Sequence, residues 1–233
     1  VIIAAVNGIV DLLNATGMPG KLSIALVSIA GGVMLFTVIL AMIICLILGL
    51  GMPTVAAYTI VALLIAPTIV SNFAVPTLAA HFFVFYAAIL SGITPPIAIA
   101  VVVTAGIAEA DFWRTSLEAL KLGLPLFILP FTFIYNPEIV TGGFGLMTAG
   151  SGLVVLFGAI TVTHGLNCAS KPFGISSPFS YGVRGGFVLL GTLAMVWPTM
   201  LPRIGVVVVS IVLMLVQTRL PYFQPVEGVP QSN

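Results

Sequence analysis

Two short segments of the sequence bring together residues whose oxygen atoms could bind a cation. Residues 49–54 read GLGMPT, and residues 91–96 read SGITPP. Proline removes a backbone donor and interrupts a helix, and glycine allows close approach of the backbone and a positive φ. Hard cations such as Na⁺ prefer oxygen ligands. We therefore predict a cation site in which Thr54 and Thr94 supply hydroxyl oxygens, while Gly49, Gly51 and Gly92 let the backbone approach the ion.

Both segments lie in a stretch without charged side chains, which has no Asp, Glu, Lys or Arg from Leu22 to Ala108. Non-helical backbone at membrane depth is tolerated only where it is buried in protein or lines a wet cavity. Broken helices in such places use exposed carbonyls and helix ends to hold ions. The hydroxyls of Thr54 and Thr94, with nearby backbone carbonyls, are therefore the candidate Na⁺ ligands. A mechanical proline kink is the alternative for each break.

The composition identifies the setting of these segments. The chain of 233 residues is 60% hydrophobic and only 6% charged, whereas about a quarter of the residues in a soluble domain are charged. A soluble globular fold is therefore excluded, and the net charge of +1 argues against a nucleic-acid partner. Several apolar runs have the length of about 20 residues that a membrane helix needs. We predict an all-α polytopic membrane protein in a lipid bilayer.

The lengths of the apolar stretches on either side of the two segments predict which structures contain them. The predicted arms on either side of GLGMPT are about 8 to 13 residues long, which is roughly 12–20 Å of helix against a membrane core of ~30 Å. Two such arms meeting at a Gly/Pro tip indicate a re-entrant hairpin over about 46–67. The half-length helices around SGITPP indicate one broken transmembrane helix over about 78–108.

The rest of the chain supplies ordinary spans. A full span is predicted at 22–45, and Asp111 is expected to cap a span that ends near Asn136. Gly182 and Gly186 have the small-xxx-small spacing of packed membrane helices. Three further spans are predicted at 145–165, 184–200 and 203–219. The resulting division is a hairpin-bearing half at 1–140, C-terminal helices at 141–220 and a disordered tail at 221–233.

The basic residues predict the orientation of the chain. If the hairpin returns to its own side, one side carries six of the seven lysines and arginines, and Arg203 alone lies on the other. Basic residues concentrate in cytoplasmic loops. The C-terminus is therefore predicted to be cytoplasmic.

Several other polar residues allow both a structural and a functional interpretation. His81 lies on an apolar half-helix and is either a core or interfacial residue or a proton-coupling group. Glu109, Asp111 and Arg114 form a charged cluster that serves capping and topology or couples to substrate, and His164 is expected to be structural.

Cys45 and Cys168 form neither a zinc motif nor a disulfide framework. An intramembrane hydrolase would need Ser91 with one of the histidines, but the Gly-x-Ser-Gly and His-Glu-x-x-His patterns are absent, so no enzyme is predicted. A channel stays the other rival.

The segments GLGMPTVAAYTIVALLIAPTIV, PTLAAHFFVFYAAILSGITPPIAIAVVVTAGIAEADFWRTSLEALKLG and FIYNPEIV closely resemble the large membrane subunit of TRAP (tripartite ATP-independent periplasmic) transporters. The resemblance covers about residues 20–140 and is best to the TAXI-type branch, in which the small and large membrane subunits are fused. It implies an elevator-type fold with two inverted repeats. GLGMPT then matches the second hairpin tip, and SGITPP matches the second broken helix. Gly51, Pro53 and Thr54 match the hairpin motif, and Ser91, Thr94, Pro95 and Pro96 match the helix break. The resemblance implies that these residues build one sodium site and one wall of the substrate site. Val55 departs from the family, since many relatives have a second threonine there.

The resemblance also implies a function and partners. The expected function is import of small organic anions, namely dicarboxylates, keto acids or acidic amino acids, delivered by a periplasmic solute-binding protein. The coupling ion implied is Na⁺, with H⁺ as the other possibility and no organic cofactor. The first repeat and the small subunit are expected upstream, which makes this chain a C-terminal part in the bacterial inner membrane. The alternatives are an elevator-type anion transporter without a binding protein, or an ion channel.

Overall fold

The computed structural model describes residues 8, 11, 12, 15–143, 145–167 and 178–219, and for 178–181 and 217–219 it describes the backbone alone. In this part of the chain, helices form all the regular structure. Three of them are long and apolar enough to cross a membrane: Thr54–Phe73, Phe112–Tyr135 and Leu146–Asn167. The predicted all-α polytopic membrane fold is thus confirmed, while its elevator-type arrangement stays a prediction. The predicted tail at 221–233 lies outside the described residues.

The chain divides into two compact units, Val1–Gly145 and Leu146–Asn233. The first unit contains both helix breaks. Its helices are α1 (Met18–Ile29), α2 (Met34–Gly49), α3 (Thr54–Leu64), α4 (Ala66–Phe73), α5 (Thr77–Leu90), α6 (Ile99–Ile107), α7 (Phe112–Tyr135) and α8 (Glu138–Thr141), with a 3₁₀ turn at Ser91–Ile93 between α5 and α6.

The span predicted at 22–45 is wrong, because the chain breaks between α1 and α2. Gly31 and Gly32 adopt left-handed conformations, with φ of 63° and 72°. The Gly32 amide donates to the Val27 carbonyl at 2.9 Å, so it satisfies a carbonyl that the end of α1 leaves free. Glycine is the residue that commonly ends helices in this way, since it has no Cβ to oppose the left-handed conformation.

The second arm of the predicted hairpin, which follows the turn at 49–54 and is called the return arm below, is longer than the sequence indicated. The helices α3 and α4 meet at Ile65, and Pro67 lies in the first turn of α4. Together they form a stretch of 20 residues, Thr54–Phe73. At 1.5 Å per residue this arm reaches about 30 Å, whereas α2, with 16 residues, reaches only about 24 Å. The expectation of two short arms is therefore wrong for the return arm. The re-entrant hairpin stays a prediction.

The core of the first unit is built around α5. Its small residues Ala79, Ala80 and Ala87 are fully buried, which lets neighbouring helices approach closely. Its aromatic residues contact α7 through Phe83 with Phe131 and through Phe82 with Phe133, at ring centroid separations of 5.9 and 5.4 Å. The first half of the broken helix therefore lies at the centre of the first unit.

The second unit consists of α9 (Leu146–Asn167), α10 (Pro178–Val196) and α11 (Met200–Arg219). Glycines on α9 and α10 allow close packing of the two backbones. A Cβ on Gly191 would lie 2.7 Å from the Gly158 carbonyl oxygen, and a Cβ on Gly165 would lie 2.9 Å from the Arg184 carbonyl oxygen. By contrast, Gly182 has nothing within 4 Å of a Cβ position, and neither has Gly186. The close packing of α9 and α10 thus uses Gly158, Gly165 and Gly191, not the pair that the spacing suggested.

Two arginines cap the ends of these helices. Arg184 donates through Nε and Nη2 to the carbonyls of Gly165 and Leu166, at the end of α9. Arg203 is 1% exposed and donates through Nε to the Ala194 carbonyl at 2.9 Å, in the last turn of α10. Cations at a helix C-terminus are stabilising because the carbonyls there carry partial negative charge.

Candidate ion and substrate site at the two helix breaks

The first break is a tight turn between α2 and α3. The Met52 amide donates to the Gly49 carbonyl at 3.3 Å. Leu50 has φ −59° and ψ 124°, and Gly51 has φ 74°. These angles match a type II turn, whose third residue needs a positive φ and is therefore usually glycine. Pro53 then precedes α3 with an extended ψ of 141°.

The second break begins with the 3₁₀ turn. Thr94 follows it in an extended conformation, as expected for a residue before proline. The peptide bond between Pro95 and Pro96 is cis. Ala98 is fully buried with φ 39°, and α6 starts directly after it. The hydroxyl of Thr94 donates to the Leu90 carbonyl at 2.7 Å, which occupies its proton.

Ser91 joins the two breaks. Its Oγ lies 3.0 Å from the Gly49 carbonyl oxygen and 2.6 Å from the Ala88 carbonyl oxygen. A serine hydroxyl has one proton, so it donates to one of these acceptors at a time. Gly49 has no room for a side chain, since a Cβ there would lie 2.5 Å from Ser91 Oγ. The two segments, which are 42 residues apart in sequence, thus meet through a buried contact.

A second contact lies beside the first. A Cβ on Gly51 would lie 3.2 Å from Cδ1 of Ile97, so the tip of the hairpin packs on the residue after the two prolines. The structure therefore explains why glycine occupies both positions: Gly49 lies too close to Ser91 for a side chain, and Gly51 has a positive φ. Gly92 shows neither feature: nothing lies within 4 Å of a Cβ position and its φ is not positive.

The remaining predicted site residues lie around this contact. Thr54 opens α3 and is exposed, as are Pro53 and Pro96, while Thr94 and Pro95 are half-buried. The hydrogen bond that joins the breaks involves neither threonine hydroxyl. A threonine oxygen keeps two lone pairs after its proton is used, so Thr94 can still accept a cation. The assignment of the nine residues to a site stays a prediction.

Four helix ends meet the two breaks, and their polarity suits ions of both signs. The helices α2 and α5 end there, so their last carbonyls present partial negative charge. The helices α3 and α6 begin there, and their first amides present partial positive charge. Because Ser91 contacts Gly49, the carbonyl ends of α2 and α5 lie side by side. Between Leu22 and Ala108 no charged side chain competes with these dipoles.

The other candidate residues lie outside this contact. Asp111 accepts from the Arg114 amide at 2.9 Å, which confirms its capping role at the start of α7. His81 lies within hydrogen-bond distance of Tyr58. In the second unit, His164 packs edge-on to Phe187. No group of three His, Cys, Asp or Glu side chains in the described part of the chain could hold a metal ion.

The link through Ser91 is the feature that the sequence did not reveal. The sequence placed Ser91 among the site residues by its match to the family motif, and in the structure its hydroxyl is directed to backbone carbonyls. A glycine ending one helix and a serine ending another are compatible with contact, but nothing in their spacing specifies it. The pairing becomes visible only once α5 packs beside α2.

Comparison with known proteins identifies the family to which the chain belongs. No curated protein and no solved structure matches the chain. A family described as "Tripartite ATP-independent periplasmic transporter, DctM component" matches residues 1–139, which include both breaks and end close to the boundary of the first unit. The resemblance predicted from the motifs is thereby confirmed for the large membrane subunit, and the family is one of transporters. The chain belongs to the DctM family of TRAP transporter permease components.

Proposed function

We propose that this chain forms part of a secondary active transporter that imports small organic anions on a cation gradient. The observation that carries the proposal is the buried contact of Ser91 with the Gly49 carbonyl, which places the ends of α2 and α5 together. In membrane transporters, helix ends and unwound backbone inside the apolar protein supply the carbonyl and amide groups that bind ions and substrate. The two breaks of this chain bring such groups together.

Sodium is the coupling ion that these parts favour. The available ligands are uncharged oxygens, namely the carbonyls that end α2 and α5 and the hydroxyls of Thr54 and Thr94. Oxygen ligands of this kind suit a hard cation. We propose that Thr94 contributes its lone pairs, because its proton is already donated to Leu90.

The amide ends of α3 and α6 would attract the carboxylate of a substrate. We propose dicarboxylates, keto acids or acidic amino acids, since α3 and α6 each begin at one of the two breaks and the N-terminus of a helix attracts a carboxylate. In this reading a periplasmic solute-binding protein delivers the anion. A small membrane subunit and a first repeat, fused upstream as in the TAXI-type branch, complete the assembly in the inner membrane. The C-terminus lies in the cytoplasm, and no enzymatic step is involved.

Reconstitution of the full-length assembly tests this proposal. Proteoliposomes that contain it should take up a labelled dicarboxylate only when an inward Na⁺ gradient and the cognate solute-binding protein are both present. Uptake that needs the gradient but no binding protein would identify another kind of elevator-type transporter. Conductance that follows the substrate gradient, without coupling to a cation, would identify a channel. Uptake driven by a proton gradient alone would overturn the choice of Na⁺.

A further inference from the structure

The first unit contains a cavity that the proposed transport site does not use. It lies among α1, α2 and α3 and has a volume of about 450 Å³. Sites for small molecules have volumes of roughly 300–1,000 Å³, so this cavity is large enough for a ligand. Its apolar lining consists of Met18, Leu22, Ile44, Leu48 and Leu64. The two other lining residues, Thr16 and Lys21, are polar.

Lys21 gives the cavity a positive charge that no neighbouring side chain balances. It is the only Lys or Arg before Arg114, and no Asp or Glu lies between Asp11 and Glu109. Lys21 is exposed, and no carboxylate in the described part of the chain pairs with its ammonium group. The ligand that complements this cavity is therefore apolar over most of its length and negatively charged at one end.

The position of Lys21 is that of a residue at the membrane surface. It lies in the first turn of α1, and the stretch without charged side chains follows it directly. Lysines near the end of a membrane helix extend their ammonium groups to the headgroup layer of the bilayer. Further polar groups lie at this end of α1, since Ser23 Oγ is 3.5 Å from Nδ2 of Asn72, near the end of α4. The positive charge of the cavity is thus placed where lipid headgroups lie.

We propose that this cavity binds an anionic glycerophospholipid, with its phosphate on the Lys21 ammonium and an acyl chain on the apolar lining. Basic pockets between membrane helices bind the headgroups of anionic lipids. Because Ile44 and Leu48 belong to α2 and Leu64 to α3, the acyl chain would contact both arms of the predicted hairpin. The bound lipid would thus link the two arms at a place other than the breaks. The site requires a membrane but no transport, so it and the proposed function can fail separately.

Photo-crosslinking of the purified full-length protein tests the site. The probe is a phosphatidylglycerol that carries a diazirine in its acyl chain, and the adducts are mapped by mass spectrometry. We expect adducts on the peptides that contain residues 18–22 and 44–48. Unlabelled phosphatidylglycerol should compete for these adducts at about a fivefold lower concentration than phosphatidylcholine, because the preference depends on one lysine.

Substitutions separate the contribution of the headgroup from that of the acyl chain. Lys21→Gln should make the two lipids equally effective competitors, whereas Lys21→Arg should keep the preference. Arg114→Gln is the matched control and should behave as the wild type, because Arg114 is also an exposed basic residue in the first turn of a helix but does not line the cavity. Ile44→Phe, which adds bulk inside the cavity, should reduce the adducts at 18–22.

Four results would overturn the site. Adducts spread evenly over exposed apolar residues, including Leu201 and Val208 on α11, would indicate a general lipid coat. A preference for phosphatidylglycerol that survives Lys21→Gln would assign it to another group. Competition by glycerol 3-phosphate as strong as that by phosphatidylglycerol would identify a free anion as the ligand. Absence of adducts at 18–22 and 44–48 would show that the full-length protein covers the cavity itself. Adducts at the cavity in a protein without uptake would support the lipid site and reject the transport function alone.

Discussion

Replacement of Gly49 by alanine tests the contact between the breaks, and its effect has a worked magnitude. Alanine is favoured over glycine inside a helix by about 1 kcal/mol. Against this, the added Cβ would lie 2.5 Å from Oγ and 2.8 Å from Cβ of Ser91. Overpacking of this kind costs about 1–3 kcal/mol, whereas Ser91 keeps the Ala88 carbonyl as an acceptor. We expect Gly49→Ala to destabilise the protein by up to about 2 kcal/mol.

A double-mutant cycle separates this contact from other effects of the substitution. Ser91→Gly removes both atoms that the new Cβ would meet, so Gly49→Ala in that background should recover the helix preference of alanine. The two substitutions should therefore couple by at least about 1 kcal/mol. Gly186→Ala, in α10, is the matched control because nothing lies within 4 Å of its Cβ position.

The assay is reversible unfolding of the purified full-length protein in detergent, monitored for all four members of the cycle. A Gly49→Ala protein that is as stable as Gly186→Ala, with no coupling to Ser91→Gly, would refute the contact. It would also remove the observation on which the proposed function depends.

Three further predictions concern other parts of the fold. Gly51→Ala should destabilise the protein by about 1–2 kcal/mol, because alanine must adopt a left-handed φ and press on Ile97; an unchanged melting temperature would contradict the type II turn. Gly191→Ala should be strongly destabilising and Gly182→Ala nearly neutral, so equal melting temperatures would reject the close packing of α9 and α10. Arg203→Met should lower stability by about 1–2 kcal/mol through the loss of the cap on α10, and wild-type stability would argue against that cap.

The sequence predicted those features that depend on local chemistry. Prolines and glycines at 49–54 and 91–96 identified both breaks, because their effect on the backbone does not need tertiary contacts. Asp111 was recognised as a cap for the same reason. The apolar composition predicted a helical membrane protein, since only helices satisfy their own backbone within one apolar segment.

Features that depend on neighbouring helices were not predictable in this way. Gly31 and Gly32 sit in an apolar run that reads as one span, and only their left-handed conformations divide it. Hydropathy could not say that α3 and α4 continue through Pro67, because proline is tolerated in the first turn of a helix. Gly182 and Gly186 have the small-xxx-small spacing, yet the close contact between α9 and α10 is made by Gly158 and Gly191. Packing sets the rotation of α10 about its axis, and the spacing of residues does not reveal it.

The most direct test of the central claim is the Na⁺ dependence of uptake after Thr94→Ala. Thr104→Ala is the matched control, because Thr104 on α6 also donates to a carbonyl four residues earlier but lies beyond the break. In full-length transporter in proteoliposomes, we expect Thr94→Ala to raise the Na⁺ concentration for half-maximal uptake about fivefold, with Thr104→Ala unchanged and both proteins equally abundant. Unaltered Na⁺ dependence in Thr94→Ala, with normal uptake, would contradict a coupling-ion site at the helix breaks.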